Sequence, residues 1–217
     1  MKPDQPPSSP DYRDYVIRNG RFIGRFEDMY RDVEDPWHIG DATSAQYDLI
    51  LSLILRRGIC REPCQVLDLG CGKGAFTGRP KQALPGAAIL ALEISETAIA
   101  AAKRSVRFPG VEFRVMDLRR EFRGLRGEYD LVLMSQLAWY ILPELREILG
   151  HLTTGVLKHG GYLLVNQAFY RGDEQTYGKE ILSTVEELVA MVGLPLLDLI
   201  ETDRLSNHNA ILLFRRP

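Results

Sequence analysis

Three glycines alternate with other residues directly after an apolar segment that ends in an acid. The stretch "QVLDLGCGKGAF" places Asp68 at the end of the apolar run, followed by Gly70, Gly72 and Gly74. Glycine has no Cβ atom, so the backbone of such a loop can turn tightly and lie against a ligand. The spacing also approximates a dinucleotide-binding fingerprint, and a purely structural turn between strand and helix is a further alternative. The loop therefore predicts a ligand site without naming the ligand.

Polar residues also end the apolar segments that follow. Glu93 ends "AAILALE", Asp117 follows "VEFRVM", and Ser135 and Gln136 follow "YDLVLM". The carboxyl ends of parallel strands in an open α/β sheet converge on one cleft, where ligands bind. Glu93 can accept hydrogen bonds from both hydroxyls of a ribose, and Asp117 can accept one from the amino group of an adenine.

Three carboxylates in one cleft favour a ligand with cationic groups and disfavour a pyrophosphate, which argues against NAD. Asp68 can reach an ammonium group or orient the glycine loop. Alternatively, Asp68 and Glu93 cap the helices that follow, because acids are favoured at helix N-termini. Since the acids recur at three successive strand ends, we expect them to serve a ligand.

Strand-like and helix-like patterns alternate from residue 65 onward. Five apolar segments, from "QVLDLG" to "GGYLLVNQAFY", are separated by helical segments such as "SETAIAAAKRSV". Two further strand-like segments, "PLLDLIETDRL" and "AILLFRRP", are joined by the polar turn "SNHN". These patterns predict an α/β fold, an open and mostly parallel seven-stranded sheet with helices on both faces and a C-terminal antiparallel β-hairpin. Pro80 should break or delay the helix after the glycine loop.

The chain is predicted to have three parts. Residues 1–14 are rich in Pro and Ser and are expected to form a disordered tail. Residues 15–62 form a lead-in segment that we expect to act as a lid over the cleft. Residues 63–217 form the ligand-binding domain.

The lead-in segment carries structural signals of its own. Asn19-Gly20 predicts a hairpin turn, and "RFEDMYRD" predicts a short helix. Ser44 and Gly58 predict the start and the end of a longer helix.

Composition limits the classes of partner. A chain of 217 residues with 45% hydrophobic and 26% charged residues suits one soluble α/β domain. The formal net charge of -2 gives no reason to expect a nucleic-acid or membrane partner. No apolar run is long enough to span a membrane or to form the core of a signal peptide, so we expect a cytoplasmic protein.

Three cysteines, Cys60, Cys64 and Cys71, are expected to be reduced thiols. Cys60 and Cys64 have the spacing of half a metal site, but no second Cys or His pair completes it. We therefore expect no metal.

Several motifs resemble those of class I S-adenosylmethionine-dependent methyltransferases. They are "VLDLGCGKGAF", "ALEIS", "VEFRVMDL", "YDLVLMSQLAWYI" and "LKHGGYLLV", and the resemblance covers roughly residues 65–217. It implies S-adenosylmethionine in the cleft. It assigns the loop around the cofactor to Asp68, Gly70, Cys71 and Gly72, and the ribose to Glu93 and Ile94. It assigns the adenine to Met116, Asp117 and Leu118. It assigns the methionine end, near the acceptor, to Ser135 and Gln136.

A second resemblance concerns the lead-in. "DPWHIGDATSAQYDLILSLI" is similar to the lead-in of bacterial methyltransferases that act on sugars, one group of which N-methylates the amino sugar of nodulation chitin oligosaccharides. It implies a small-molecule acceptor, first a sugar or amino sugar, held by Trp37 and Tyr47. The polar and basic residues expected between these two aromatics are mostly replaced, and Gln136 stands where an acid is common.

Candidates for catalysis are few. His38, Glu144 and Asp117 are the available bases, and His38 is preferred because Asp117 is expected to hold the adenine. Tyr140 follows the fourth strand end by about one helical turn and is expected to face the acceptor. The lack of an obvious base slightly favours an amine acceptor.

Other functions stay open. An NAD-linked oxidoreductase and a module that binds S-adenosylmethionine without catalysis are alternatives to a small-molecule methyltransferase. A methyltransferase acting on RNA or protein is a third, although the basic run "LRREFRGLR" lacks interleaved aromatics and is expected to be a solvated face.

Overall fold

The computed structural model of the protein describes residues 11–18, 20–38, 41–60, 63–170, 177–204 and 207–217. Most of the predicted tail lies outside the described residues. Its last part, Tyr12–Asp14, forms a turn of 3-10 helix. Asn19 also lies outside the described residues, but the short strands on either side of the predicted turn pair in antiparallel fashion.

Nine strands occur in the described part of the chain. They are β1 (Ile17–Arg18), β2 (Arg21–Phe22), β3 (Cys64–Leu69), β4 (Ala87–Glu93), β5 (Val111–Val115), β6 (Tyr129–Ser135), β7 (Leu157–Tyr170), β8 (Leu196–Arg204) and β9 (Asn207–Arg215). The last seven form one sheet in the order β5-β4-β3-β6-β7-β9-β8. All neighbours are parallel except β9, which is antiparallel to both β7 and β8. The predicted seven-stranded sheet with its C-terminal hairpin is confirmed.

The α-helices of the described residues alternate with these strands. They are α1 (Phe26–Asp32), α2 (Asp41–Arg56), α3 (Gly78–Ala83), α4 (Glu96–Ser105), α5 (Leu118–Glu121), α6 (Leu145–His151) and α7 (Val185–Val192). The start predicted for α2 at Ser44 is wrong by three residues, since the helix begins at Asp41. Its predicted end is confirmed by Gly58, whose φ is +62°. Pro80 falls in the first turn of α3, where a missing N–H costs no helical hydrogen bond, so it delays the helix without breaking it.

Helices cover both faces of the sheet, as predicted. On one face, α6 and α7 pack on buried residues of β3 and β6, with Leu67, Met134 and Leu145 in one cluster. On the other face, α2 packs its Ile50 and Ile54 on the alternate residues of the same strands. Burial on both faces explains why these strands read as continuous apolar runs.

The expectation of three reduced cysteines is wrong. The short connection after α2 turns back at once into β3 and brings Cys60 and Cys64 to a Cα–Cα distance of 5.0 Å, and their sulfur atoms are bonded. Cys71 is the free cysteine. None of the helices in the described part of the chain has the length and apolar character needed to cross a lipid bilayer.

Candidate active site

A cavity of about 380 Å³ opens at the carboxyl ends of the parallel strands. It lies beside β3, the strand that pairs with both β4 and β6, where the direction of the strand order reverses. This is the position at which open α/β sheets bind ligands. Its volume falls within the range of about 300–1,000 Å³ that is usual for small-molecule sites.

The glycine loop forms one wall of the cavity. Gly70, Gly72 and Gly74 have φ values of +71°, +55° and +80°. A Cβ atom on Gly70 would lie 3.0 Å from the side chain of Leu137, and one on Gly72 would lie 3.0 Å from the Tyr30 hydroxyl. The loop therefore requires glycine both for its backbone angles and for its close packing.

Glu93 lies under this loop and connects it to β4. Its side chain accepts hydrogen bonds from the backbone N–H groups of Gly72 at 3.0 Å, Ile94 at 2.9 Å and Ser95 at 3.3 Å. The residue is only 8% exposed, and burial raises the pKa of its carboxyl group. One carboxylate thus holds the loop and faces the cavity at the same time.

Asp68 lies at the base of the cavity. Its carboxylate accepts a hydrogen bond from the Thr77 hydroxyl at 2.7 Å, and burial raises its pKa to about 6. It does not cap a helix, and neither does Glu93, because α4 is capped by Ser95. The capping alternative holds instead for Asp117, which lines the cavity and also accepts from the N–H of Arg119 at the start of α5.

The lead-in segment supplies an aromatic wall. Phe26, Tyr30 and Trp37 of the lead-in line the cavity, together with Tyr12 from the segment before it and with Tyr140. The Trp37 indole N–H donates to the Tyr30 hydroxyl at 2.7 Å, and the rings of Trp37 and Phe26 lie 5.6 Å and 5.3 Å from that of Tyr140. Burial, with the nearby Glu93, raises the pKa of Tyr30 well above its usual value.

Two anchors hold this aromatic wall in place. Glu27 of α1 accepts hydrogen bonds from the hydroxyls of Ser95 and Thr97 at the start of α4. Lys73, within the glycine loop, donates to the backbone carbonyls of Val33 and Glu34. The lead-in is therefore attached on both sides of the cavity.

The far end of the cavity has a polar floor. The residues that meet there are Ser135 of β6 with Gln136 directly after it, Asn166 and Gln167 of β7, and Asn209 of β9. Asn166 and Asn209 are buried and hydrogen-bonded to each other at 2.8 Å.

Part of this chain is similar to a known protein family. Residues 66–161 match a family model described as a methyltransferase domain. This segment is therefore similar to methyltransferase domains. The seven-stranded sheet that contains it has the fold of the class I, S-adenosylmethionine-dependent methyltransferases.

Curated proteins that are similar to this chain include two trans-aconitate 2-methyltransferases. The one from Mycolicibacterium gilvum (strain PYR-GCK) is 41% identical over 96 residues, which are 44% of this chain and 35% of the relative. The one from Deinococcus radiodurans is 34% identical over 132 residues, 60% of this chain and 47% of the relative. The chain thus spans less than half the length of these relatives.

Solved structures resemble the chain over more of its length. N-methyltransferase NodS from Bradyrhizobium japonicum WM9, in complex with S-adenosyl-L-homocysteine, has a TM-score of 0.70 at 17% identity, covering 89% of this chain and 97% of that one. The [4+2]-cyclase SpnF has a TM-score of 0.62 at 19% identity, covering 78% and 80%. Because one neighbour is named as a cyclase, the likeness shows the fold and leaves the reaction to the site.

The cavity brings most of the predicted site residues together. The predicted residues that line the cavity are Trp37, Tyr47, Asp68, Gly70, Cys71, Gly72, Glu93, Ile94, Met116, Asp117, Leu118, Ser135, Gln136 and Tyr140. Tyr47 stacks on Phe76 at 4.6 Å between ring centroids, and burial and Asp68 raise its pKa to about 12.

Two predicted candidates for a catalytic base lie elsewhere. His38 is exposed and does not line the cavity, and its backbone N–H donates to the carbonyl of Asp35. Glu144 forms an ion pair with Arg119 at 2.7 Å and does not line the cavity either. The catalytic role of His38 stays a prediction that no contact of the described residues supports.

The sequence analysis missed some residues that line the cavity and others that support its floor. Phe26 and Tyr30 lie four residues apart in α1, a spacing that would have predicted one aromatic helix face. Asn166 and Gln167 interrupt the apolar run "GGYLLVNQAFY", and two amides in a buried strand were a usable signal. Asn209 gave no comparable signal.

Proposed function

We propose that this chain binds S-adenosylmethionine in the cavity and transfers its methyl group to a small-molecule acceptor. The observation that carries the proposal is the buried Glu93, which holds the glycine loop and faces the cavity from the end of β4. A carboxylate in this position suits the two hydroxyls of a ribose.

The chemistry of the donor set fits this cofactor. Asp117, with the backbone of Met116 and Leu118, would hold the adenine, and the glycine loop with Asp68 would hold the methionine portion. S-adenosylmethionine carries a sulfonium and an ammonium group and no phosphate, so a cavity with three carboxylates suits it.

The same cavity is a poor site for NAD. A pyrophosphate would have to lie near Asp68 and Glu93. The cations of the described cavity wall, Lys73 and Arg119, already bind backbone carbonyls and Glu144 respectively.

When bound, S-adenosylmethionine supplies a sulfonium methyl group that a nucleophile can attack from the side opposite to sulfur. The chain itself then acts by orientation and by exclusion of water. Tyr30 and Tyr47, whose pKa values are raised, keep their phenolic protons and serve as hydrogen-bond donors. Asp68, Glu93 and Asp117 are assigned to the cofactor, and the described cavity residues offer no further carboxylate or histidine as a base. An amine that attacks in its neutral form is therefore the favoured acceptor.

We further propose that the acceptor is a sugar or an amino sugar. The flat faces of Trp37 and Tyr140 suit the apolar face of a sugar ring, and the amides of Gln136 and Asn209 suit its hydroxyls. The curated relatives named for trans-aconitate act on a polyanion, for which this cavity wall has only the engaged cations of Lys73 and Arg119 to offer.

The lead-in, residues 15–62, is proposed to be the lid of this site. Its aromatic wall closes the cavity on the side away from the sheet, and its anchors at Glu27 and Lys73 can release without unfolding the sheet. Such covers shape the acceptor pocket and keep water out.

Calorimetric titration with S-adenosylmethionine, with NAD alongside, tests the cofactor. We expect saturable binding of S-adenosylmethionine that Asp68→Ala and Glu93→Ala abolish and that the exposed control Glu112→Ala retains. Binding of NAD in place of S-adenosylmethionine would overturn the proposal.

Methyl transfer to D-glucosamine and to trans-aconitate then tests the acceptor class. We expect S-adenosylhomocysteine to be released with D-glucosamine and not with trans-aconitate. Tight cofactor binding with no transfer to any amine or hydroxyl would favour the non-catalytic binding module instead.

A further inference from the structure

Four polar side chains at the floor of the cavity form one continuous series of hydrogen bonds, here called the amide chain. Gln136 Nε2 donates to Asn209 Oδ1 at 2.8 Å, and Asn209 Nδ2 donates to Asn166 Oδ1 at 2.8 Å. Asn166 Nδ2 then donates to Ser135 Oγ at 2.9 Å. The amide chain crosses three adjacent strands, β6, β7 and β9.

The direction of the amide chain is fixed by the backbone. The N–H of Ala168 donates to Gln136 Oε1 at 3.0 Å, and a backbone N–H can only donate. The oxygen of Gln136 must therefore face Ala168, and its NH₂ group must face Asn209. Because the NH₂ group of Gln136 donates to Asn209, the atom of Asn209 that faces it must be the oxygen, and the same argument assigns the oxygen of Asn166. The O and N atoms of these amides are therefore distinguished.

This direction leaves the Ser135 hydroxyl with a proton to donate. At the end of the amide chain Ser135 Oγ acts as an acceptor, and the hydrogen bonds of the described residues give its own O–H no acceptor. Ser135 is partly exposed and lines the cavity. Hydrogen bonds in series polarise one another, so the last donor of such a series is strengthened.

Hydrogen bonds fix the backbone and side chain of Gln136, the residue after Ser135. Gln136 has a φ of +54°, in the left-handed region that residues other than glycine rarely occupy. Its N–H donates to the Asn166 carbonyl at 2.7 Å, and both ends of its side chain are bonded. Uncommon backbone angles of this kind persist where the surroundings enforce them, often at functional sites.

We propose that Ser135 is a specificity-determining donor, whose hydroxyl binds an oxygen atom of the methyl acceptor. The inference rests on the proposed function. The acids and the glycine loop occupy the β3–β5 side of the cavity, so the β6–β9 side with the amide chain is left for the acceptor. Ser135 keeps its proton throughout and selects acceptors that present a lone pair, such as the ring oxygen or a hydroxyl of a sugar.

Turnover with D-glucosamine as the probe acceptor tests the role of Ser135. We expect Ser135→Ala to lower kcat/KM about tenfold, the effect of losing one hydrogen bond to a ligand, and Ser135→Thr to stay within about twofold of the unchanged protein. Ser183→Ala, before α7 and away from the cavity, is the matched control. Affinity for S-adenosylhomocysteine should fall much less than kcat/KM in the two Ser135 variants, and it should be unchanged in Ser183→Ala.

Side-chain amide NMR tests the direction of the amide chain without any acceptor. In Ser135→Ala, the resonance of one Nδ2 proton of Asn166 should move upfield because its hydrogen bond is lost, while those of Asn209 and Gln136 change little. If both Nδ2 protons of Asn166 keep their chemical shifts, Ser135 is not the terminal acceptor and the proposal is overturned.

The outcomes separate the inference from the proposed function. If the unchanged protein fails to bind S-adenosylhomocysteine, or fails to methylate D-glucosamine, the corresponding part of the proposed function fails and the NMR result decides the inference. If Ser135→Ala leaves kcat/KM unchanged, or weakens S-adenosylhomocysteine binding as strongly as turnover, Ser135 is no donor to the acceptor.

Discussion

At the scale of single residues, Glu93 is the carboxylate on which the shape of the glycine loop depends. It accepts from three backbone N–H groups, and a glutamine in its place would turn an NH₂ group toward some of them. We expect Glu93→Gln to weaken S-adenosylmethionine binding about 10- to 100-fold, since hydrogen bonds to charged groups contribute about 1.5–3 kcal/mol. Calorimetry measures the change.

Glu112→Gln is the control for this variant. Glu112 lies on β5, is exposed and pairs with Arg114 at 2.6 Å, so its substitution should leave the affinity unchanged. An affinity of Glu93→Gln within twofold of the unchanged protein would show that this carboxylate does not organise the site.

Asp68 gives the fold a specific pH dependence. Its pKa is raised by burial from 3.8 to about 6, so the folded state keeps the proton at pH values where the unfolded chain has lost it. Stability therefore falls as the pH rises through this window, by up to about 3 kcal/mol for a shift of this size. Asp68→Asn removes the titrating group. The stability of this variant should therefore increase relative to that of the unchanged protein as the pH rises from 4 to 7.

Denaturant unfolding at several pH values measures this difference in the free energy of unfolding. Asp48→Asn serves as the control, because the side chain of Asp48 is 70% exposed. A constant difference between Asp68→Asn and the unchanged protein across the range would contradict a raised pKa at Asp68.

The sequence allowed the acids to be found but not Asn209. Asp68 and Glu93 lie at the ends of apolar runs, and the geometry of parallel strands alone brings such residues to one cleft. Asn209 becomes a site residue only because β9 runs antiparallel beside β7 and places its first residues at the same edge. That pairing joins positions far apart in the chain, which no local pattern encodes.

At the scale of elements, one polar side chain of α1 is hydrogen-bonded to the start of α4, beside the buried contact of Met29 and Tyr30 with Ala98. Glu27 accepts from Ser95 at 2.6 Å and from Thr97, and although its burial opposes ionisation, these bonds lower the pKa of its carboxyl group. Glu27→Ala should loosen the aromatic wall and raise the KM for the acceptor severalfold, with little change in cofactor affinity. Hydrogen exchange of residues 26–32 should also become faster.

Asp28→Ala is the matched control, since Asp28 is the next residue of α1 and pairs only within its own segment, with Arg25 and Arg31. Equal loss of cofactor and acceptor binding in Glu27→Ala would contradict a lid, because it would show that the lead-in is part of the cofactor site.

The periodicity of apolar residues predicted the order and type of the helices and strands, but it did not predict all of their first and last residues. Buried strands and amphipathic helices have patterns that tertiary structure rarely overrides over a long segment. The start of α2 and the bond between Cys60 and Cys64 depend on how the lead-in meets the sheet. Such contacts between segments are determined by tertiary packing and not by local propensity.

At the scale of the whole molecule, cofactor binding should stabilise the lead-in and the sheet together. Phe26, Tyr30 and Trp37 face the same cavity as the glycine loop, so a ligand there contacts both parts. S-adenosylhomocysteine at 100 times its Kd adds about 2.7 kcal/mol, which raises the Tm of a chain of this size by about 5–10 °C. Thermal unfolding should remain one transition.

NAD at the same concentration is the control and should leave the Tm unchanged. Two separate transitions, with only the later one shifted by S-adenosylhomocysteine, would mean that the lead-in unfolds independently and contributes nothing to the bound state.

The order of strands in the sheet also bears on how this protein could change. The acids lie at or just beyond the carboxyl ends of β3, β4 and β5, while the hydroxyl and amides of the floor lie on or next to β6, β7 and β9, and the boundary between β3 and β6 divides the two sets. Each set is held by its own hydrogen bonds, with Glu93 on one side and the amide chain on the other. Substitutions in one half can therefore accumulate without disturbing the other, so new acceptors could be acquired while the methyl donor stays the same.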